Sequence, residues 1–357
     1  MKKFILIFLI ILLTGCYNYT EINDLAFISS IGIDYNEKEN EFVVTYEILN
    51  DNSAGERKTN KSYTITASGK NITDAFNYAA LKVNNKPYFY HLKIIAMDET
   101  ISKKYTKDVV DYILRNPDVK NEFFIIVVKN AKAQNILNKS NEIDPDIGNK
   151  IFKMIKSNEE QNNISIDQNF EATTKFFTSK LSNALLNTFT LNENGEIIEL
   201  GLSAFHEYEY MKTISNEESA LFNLIVKGKA SLTLNKTYDD GTISINLYSG
   251  KGKIEIKDNL VIYNISALAE IKVNTTNINL KKDYSYKKLN NDFIKILNDK
   301  IIKFIENLRN DNLDILEVNN LYYEKTRNEL NVFKTFNYNI NTNIKIDKKG
   351  LIYNFEN

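Results

Sequence analysis

The chain opens on Met1-Lys2-Lys3 and then runs through ten uninterrupted apolar residues, Phe4 to Leu13, before polar side chains return. At about 1.5 Å per residue a helix of that length spans roughly 15 Å, half of a ~30 Å hydrocarbon core, so it is too short to cross a membrane. A charged head, an apolar middle and the close Leu13-Thr14-Gly15 have the make-up of a secretory signal peptide, residues 1–15.

Beyond it, strand-like blocks at 25–33, 42–49 and 63–67 are separated by polar turns. Ala75, Phe76, Ala79, Ala80 and Val83 recur at helical spacing and predict a helix over 73–84, and 88–97 reads as one buried strand. A helix over 102–114, apolar at Tyr105, Val109, Tyr112 and Ile113, precedes the β-prone run 123–128. Residues 131–187 read as mainly helical, broken near Asp144-Pro145 and across 157–163. Asn194-Gly195, set between Phe189-Thr190-Leu191 and Ile197-Ile198, predicts a hairpin and a domain border.

Ser215-Asn216-Glu217-Glu218 ahead of Leu221, Leu224 and Ile225 has the capping-box pattern of a helix start. Strands follow at 230–234, 243–248, 253–256 and 260–273, with turns at Asp239-Asp240-Gly241 and Gly250-Lys251-Gly252, which predicts an antiparallel meander. A long helix over 286–308 carries Leu289, Phe293, Ile296, Leu297, Ile301, Phe304, Ile305 and Leu308 on one stripe and should lie across that meander. A helix over 318–328 and a last strand, with Phe336, Tyr338, Ile340, Ile344 and Ile346 alternating with polar residues, close the chain. The fold class expected is α+β or mixed α/β in two to three domains, each a mostly antiparallel or mixed sheet covered by helices. The boundaries expected are an N-terminal region 16–195, divisible at 130 into 16–130 and 131–195, and a C-terminal domain 196–357.

Removing residues 1–15 from 357 leaves 342, long for a single hydrophobic core. The remaining charge is near balance, 43 basic against 46 acidic residues with the signs interspersed, which gives nothing for a nucleic acid to bind. No later apolar run approaches spanning length. Cys16 is the single cysteine, so it forms no intramolecular disulfide. Leu13-Thr14-Gly15-Cys16 resembles the lipobox of bacterial lipoproteins, which implies cleavage after Gly15 and a diacylglyceryl group on the Cys16 thiol. Two acyl chains, at about 0.8 kcal/mol per buried methylene, hold a protein stably to a membrane where one does not.

Candidate chemistry is sparse. His91 and His206 lie far apart without acidic or cysteine companions at metal-ligand spacing, and both read as structural. No Gly-x-Ser-x-Gly elbow occurs. Gly250-Lys251-Gly252-Lys253 lacks the spacing of a phosphate loop and sits between strands, and Glu217-Glu218 suits a helix start through the macrodipole. No catalytic, cofactor-binding or metal-binding residue is assigned, and no enzyme is expected.

The segment Gly15-Cys16-Tyr17-Asn18-Tyr19-Thr20-Glu21-Ile22-Asn23-Asp24-Leu25-Ala26, continued by Gly32-Ile33-Asp34, resembles the start of the Ger(x)C lipoproteins, C subunits of the germinant receptors of endospore-forming bacteria. Tyr17 stands where that family usually has tryptophan, and Thr20 where arginine is common. Tyr90-His91-Leu92-Lys93-Ile94-Ile95 is similar to the family's Gly-His-Leu-Lys-Val strand, and Leu114-Arg115-Asn116-Pro117-Asp118-Val119 to its Leu-Arg-Asp-Pro-Glu-Ile turn. Gly201-Leu202-Ser203-Ala204-Phe205 and Glu217-Glu218-Ser219-Ala220-Leu221 match more weakly, in the same order. The resemblance implies three α/β domains and a non-enzymatic, lipid-anchored subunit on the outer face of the spore's inner membrane. Its partners would be the A and B membrane subunits of the receptor, and its role assembly, stability or signal relay, with direct germinant binding left to those subunits. The competing reading is a solute-binding lipoprotein of an importer, which predicts two similar lobes around parallel sheets; the meander over 230–273 counts against it.

Overall fold

The computed structural model describes residues 21–49, 62–120, 122–141, 144–278 and 283–348. A short turn, Ile22–Asp24, leads into β1 (Leu25–Asn36), which pairs antiparallel with β2 (Glu41–Ile48), and β2 with β3 (Tyr63–Gly69). Helix α1 (Ile72–Leu81) starts at Asn71, whose side chain accepts from Asp74 N at 2.9 Å.

The run 88–97, expected as one strand, is two. Strand β4 (Lys86–Tyr88) pairs with Leu25–Phe27, and β5 (Ile94–Asp98) with Ser30–Ile33. Between them the chain turns through His91 and is pinned by Lys93 N donating to Ser29 O at 2.8 Å, beside a bulge at Ile28/Ser30 in the β1–β2 ladder. The expected helix over 102–114 also comes as two, α2 (Glu99–Lys104) and α3 (Thr106–Arg115). Tyr105 between them leaves the helical region to lay its ring on Tyr35 and Phe42, at 4.6 and 5.0 Å between centroids.

Strand β6 (Phe124–Val128) is followed by α4 (Ala133–Leu137), α5 (Ile147–Ser157) and α6 (Phe170–Phe177), and then β7 (Ala184–Leu191) rejoins the sheet. The helical stretch therefore ends before 187. The apolar residues of β7 are buried on both faces, and a short run of that kind has no periodicity to separate strand from helix. Strands β8 (Ile197–His206) and β9 (Glu209–Ser215) complete one nine-stranded sheet, ordered β3-β2-β1-β5-β6-β7-β8-β9 with β4 beside the start of β1. Its centre, β1-β5-β6-β7, is parallel, and both flanks are antiparallel. The Asn194-Gly195 turn joins β7 to β8 inside this sheet.

Both faces are covered. Helices α1, α2, α3 and α6 bury Phe76, Ile101, Val109 and Phe177 against one face, and α4 and α5 bury Ile136, Ile151 and Ile155 against the other. At the β7–β9 end, Leu185, Leu202, Ala204 and Ile214 instead join the core of the C-terminal region.

That region begins with α7 (Asn216–Phe222), which has the full capping box: Ser215 accepts from Glu218 N, and Glu218 accepts from Ser215 N at 2.9 Å. A π-turn at Asn223–Lys227 leads to β10 (Leu232–Tyr238), β11 (Gly241–Lys257) and β12 (Leu260–Asn274), an antiparallel meander. The turn expected at Gly250-Lys251-Gly252 is instead the middle of the 17-residue β11. These glycines are small because the π-turn lies against them: a Cβ on Gly252 would sit 2.1 Å from Ile225 O.

Helix α8 (Asp283–Asn310) crosses this sheet, burying Leu289, Phe293, Leu297, Ile301, Phe304, Ile305 and Leu308, with Ile296 partly covered. Helices α9 (Val318–Thr326) and α10 (Val332–Thr335) then carry the chain back to β13 (Asn337–Lys348), which lies parallel to β12 because the connection is a helical crossover rather than a hairpin.

Candidate functional site

Cys16 and the cleavage point after Gly15 lie outside the described residues. The first described residues feed β1 in the middle of the large sheet. Strands β1, β3, β5 and β6 run in the same direction and all start at that end of the sheet.

The His91 turn is built there. Tyr88 and Tyr90 stack at 4.9 Å, Lys120 Nζ stands 4.2 Å from the Tyr90 ring centroid, and Phe27 meets Tyr88 and His91 edge-on at 5.5 and 5.3 Å. His91 is exposed, at the head of that turn. Asn116-Pro117, from the third family-like segment, ends α3 near this end. Arg115 there pairs with Asp111 one turn back, at 2.8 Å, on the open surface.

At the finishing end of the parallel strands, where open α/β sheets commonly place ligands, a 490 Å³ cleft is lined by Asp34, Tyr35, Lys132 and Gln134. Its buried charges are engaged within the protein. Asp34 accepts from Ala133 N at 2.7 Å and Gln134 N at 2.9 Å, closing the first turn of α4. Asp98 accepts from Ile101 N at 2.7 Å and from the Lys132 ammonium. Burial pushes the Asp34 carboxyl up to about 6 despite those backbone donors. Gly32-Ile33-Asp34 thus has a structural reason: Gly32 admits Ala133, whose Cβ would lie 3.3 Å from an added one, and Asp34 caps the helix Ala133 begins.

Glu47 does the same for α5. It is fully buried and accepts from Ser30 Oγ (2.5 Å), Ser62 Oγ (2.7 Å), Ile147 N (2.7 Å) and Gly148 N (2.9 Å). Burial raises its carboxyl above the ordinary value.

A third group of polar residues lies on the seam between the sheets. Glu199 accepts from Ser165 Oγ at 2.6 Å and Asn158 Nδ2 at 2.7 Å; burial pushes it up to about 7. Asn223 donates to Asn163 O (2.6 Å) and Ser165 O (3.1 Å), Glu159 pairs with Lys229, Asn183 Nδ2 donates to Asp314 O (2.9 Å), and Ser182 Oγ donates to Glu317 (2.5 Å). Burial pushes Asp314 up to about 6 and Glu317 up to about 7. The Asp34, Glu47 and Glu199 clamps join residues too distant in sequence to be legible there; Gly32-Ile33-Asp34 is the one local sign of them.

Chemically, these groups are hydrogen-bonded within the chain, where they close helix starts and the seam. Among the described residues, no three His, Cys, Asp or Glu side chains are placed to hold a metal, and no helix is long and apolar enough to cross a membrane. His206, at the end of β8, is remote in sequence and strand from His91.

Two family models match in tandem: the spore germination protein N-terminal domain over residues 18–191, and the spore germination B3/GerAC-like C-terminal domain over 200–350. The chain is similar to spore germination protein KC of Bacillus subtilis, 26% identical over 291 residues, 70% of each chain. It is also similar to spore germination protein GerQC of Bacillus cereus, 21% identical over 231 residues, 63% of this chain and 61% of the relative. The crystal structure of the GerBC protein superposes with a TM-score of 0.52 at 17% identity, covering 89% of this chain and 96% of that one, which shows a common fold.

Proposed function

The chain belongs to the Ger(x)C family of spore germination proteins, and from that premise we propose that it is the lipid-anchored, non-enzymatic C subunit of a nutrient germinant receptor. The observation that carries this reading is the tandem match of both family domains, in order, along 18–191 and 200–350. Cys16, freed by cleavage after Gly15, carries the diacylglyceryl group and holds the protein on the outer face of the spore's inner membrane. Its partners are the A and B membrane subunits, and it serves their assembly, stability or signal relay. The interior supports a structural role: its buried carboxylates are spent on helix starts and on the seam, where they fix shape. In sequence units the division is 16–195 and 196–357; the large sheet itself continues to Ser215.

The test is germination of spores lacking the gene, scored against a nutrient panel, beside spores carrying Cys16→Ala. Loss of response to particular nutrients in the deletion, and a weakened response in the substitution, is the expected result. Normal germination with failed uptake of a solute replaces the reading with that of an importer's binding protein.

A further inference from the structure

The end of the large sheet at which β1, β3, β5 and β6 begin differs in chemistry from the end at which β1, β5 and β6 finish. Several large apolar side chains stand in solvent at the starting end: Ile22 is 65% exposed, Leu81 81%, Tyr90 51% and Leu114 50%. Each precedes a strand of the sheet, so the topology itself gathers them: Ile22 leads into β1, Leu81 into β4, Tyr90 into β5 and Leu114 into β6. The finishing end is built of ion pairs, Lys104 with Glu37 at 3.0 Å and Lys132 with Asp98.

Exposed apolar side chains gathered at one end of a domain call for an occupant, and the length of chain ahead of Glu21 indicates which. Five residue steps lead from Cys16 to Glu21, and a fully extended chain covers at most ~3.6 Å per step, so Glu21 lies within roughly 18 Å of the Cys16 backbone. A tyrosine ring with an apolar body and a polar tip suits the headgroup layer of a bilayer, and a lysine ammonium beside it suits the phosphates. The Tyr88–Tyr90 stack with Lys120 over it has that make-up. We propose that this starting end, through Ile22, Tyr88, Tyr90, His91 and Lys120, docks directly on the lipid surface, so that anchor and domain together fix one orientation. The proposal rests on the anchored reading above. A tether this short gives an effective concentration in the millimolar range, so even a patch with only about millimolar affinity of its own is occupied about half the time. With the starting end on the lipid, the ion-paired finishing end of the sheet points away from it.

Two features of the sequence make the test clean: there is no tryptophan, and Cys16 is the single thiol. The full mature chain from Cys16 is coupled through that thiol to maleimide-bearing phosphatidylethanolamine, in vesicles of phosphatidylcholine and phosphatidylglycerol that contain lipid with brominated acyl chains. Tyr90→Trp supplies a single indole at the docking end. Lys38→Trp, in the exposed turn after β1, supplies one at the far end, about 30 Å away along the nine residue steps of β1 from Phe27, which pairs with Tyr88, to Asn36. The Tyr90→Trp indole should shift to the blue and lose about half its emission to the brominated lipid, as expected of a ring at headgroup depth. The Lys38→Trp indole should keep its emission, and Ile22→Asp added to Tyr90→Trp should restore most of what was lost. A coupled chain that floats with the vesicles while the Tyr90→Trp indole stays bright overturns the proposal; so does equal quenching at both positions. Because the coupling is chemical, this result is independent of how Cys16 is modified in cells. Failure of Cys16 to take up labelled palmitate in cells sinks the anchored reading, whereas absent quenching sinks the docking and leaves that reading standing.

Discussion

The two sheets of this protein are stabilised in different ways. In the nine-stranded sheet the central strands are buried on both faces, helices lie on either side, and buried carboxylates are placed under helix starts: Asp34 beneath α4, Glu47 beneath α5 and Asp98 beneath α2. The four-stranded sheet buries one face under α8 and turns an outer face of asparagine, serine and lysine to solvent, including Asn264, Ser266, Asn341 and Lys251. A sheet covered on both sides leaves polar helix ends in the interior, and each must find a partner. A one-sided sheet needs only a matching apolar stripe.

The largest expected effect falls on that stripe. Phe293 is wholly buried in α8, and Phe293→Ala should destabilise the protein by about 3–5 kcal/mol, read from the shift of a denaturation midpoint. A loss below about 1 kcal/mol would mean that the one-sided sheet does not depend on its helix in the way the burial indicates. Next comes a clamp. Glu47→Ala strands two hydroxyls and two backbone N–H groups in the interior and should cost about 3 kcal/mol or more. Glu47→Gln keeps one carbonyl acceptor and should cost less. If the two substitutions cost the same, the side chain's volume matters and its oxygens do not.

Legibility in the sequence follows the same division. The alternation in β12 and β13 and the stripe of α8 show directly, because one-sided burial leaves a period to read. The capping box at Ser215 is local in sequence and was equally visible. The core strands of the large sheet are visible as apolar runs, but nothing in a run says where it breaks: the split at His91 lies beside a bulge in the neighbouring β1–β2 ladder, far away in sequence. Glu47 lies 100 residues from Ile147, and no periodicity connects a carboxylate to a helix start at that distance. Gly250 and Gly252 misled because glycine usually marks a turn, while here it admits another backbone to within contact of a strand. Of the candidate site, the Gly32-Ile33-Asp34 and His91 segments are legible only as family resemblances, and the structure supplies the physical reason for the first: Gly32 admits Ala133 and Asp34 caps α4.

The seam between the sheets should respond to pH. Burial raises Glu199 from the ordinary 4.5 to about 7, so folding favours its protonated form. That contribution is complete below about pH 4.5 and fades as pH rises through about 7. The protein should be more stable at pH 5 than at pH 8, with up to about 3 kcal/mol of the difference from this residue. Surface carboxylates held low by lysines, such as the half-buried Glu99 beside Lys103, are ionised throughout that window and do not contribute to the slope. In thermal melts Glu199→Gln should remove Glu199's share of the slope and leave those of Asp314 and Glu317, while Asp34→Asn, within the large sheet, leaves the seam's share in place. A parent profile that rises from pH 5 to 8 would show that Glu199 is solvated and charged in solution.

The smallest effect is expected at Arg115, and it separates the fold from its surface. Arg115 pairs with Asp111 one helical turn away, both side chains open to water, where such pairs contribute little because solvent screens them and holding two long side chains costs entropy. Arg115→Ala should therefore leave the melting temperature within about 1 °C of the parent. Spores carrying it should germinate as the parent does if the Leu114–Val119 segment serves only to end α3 and lead into β6. An unchanged melt with lost germination would instead make Arg115 a contact to another subunit. The starting end of the large sheet, where Leu114 and Tyr90 already stand in solvent, would then face protein at that corner, with lipid contact confined to the side nearer Ile22.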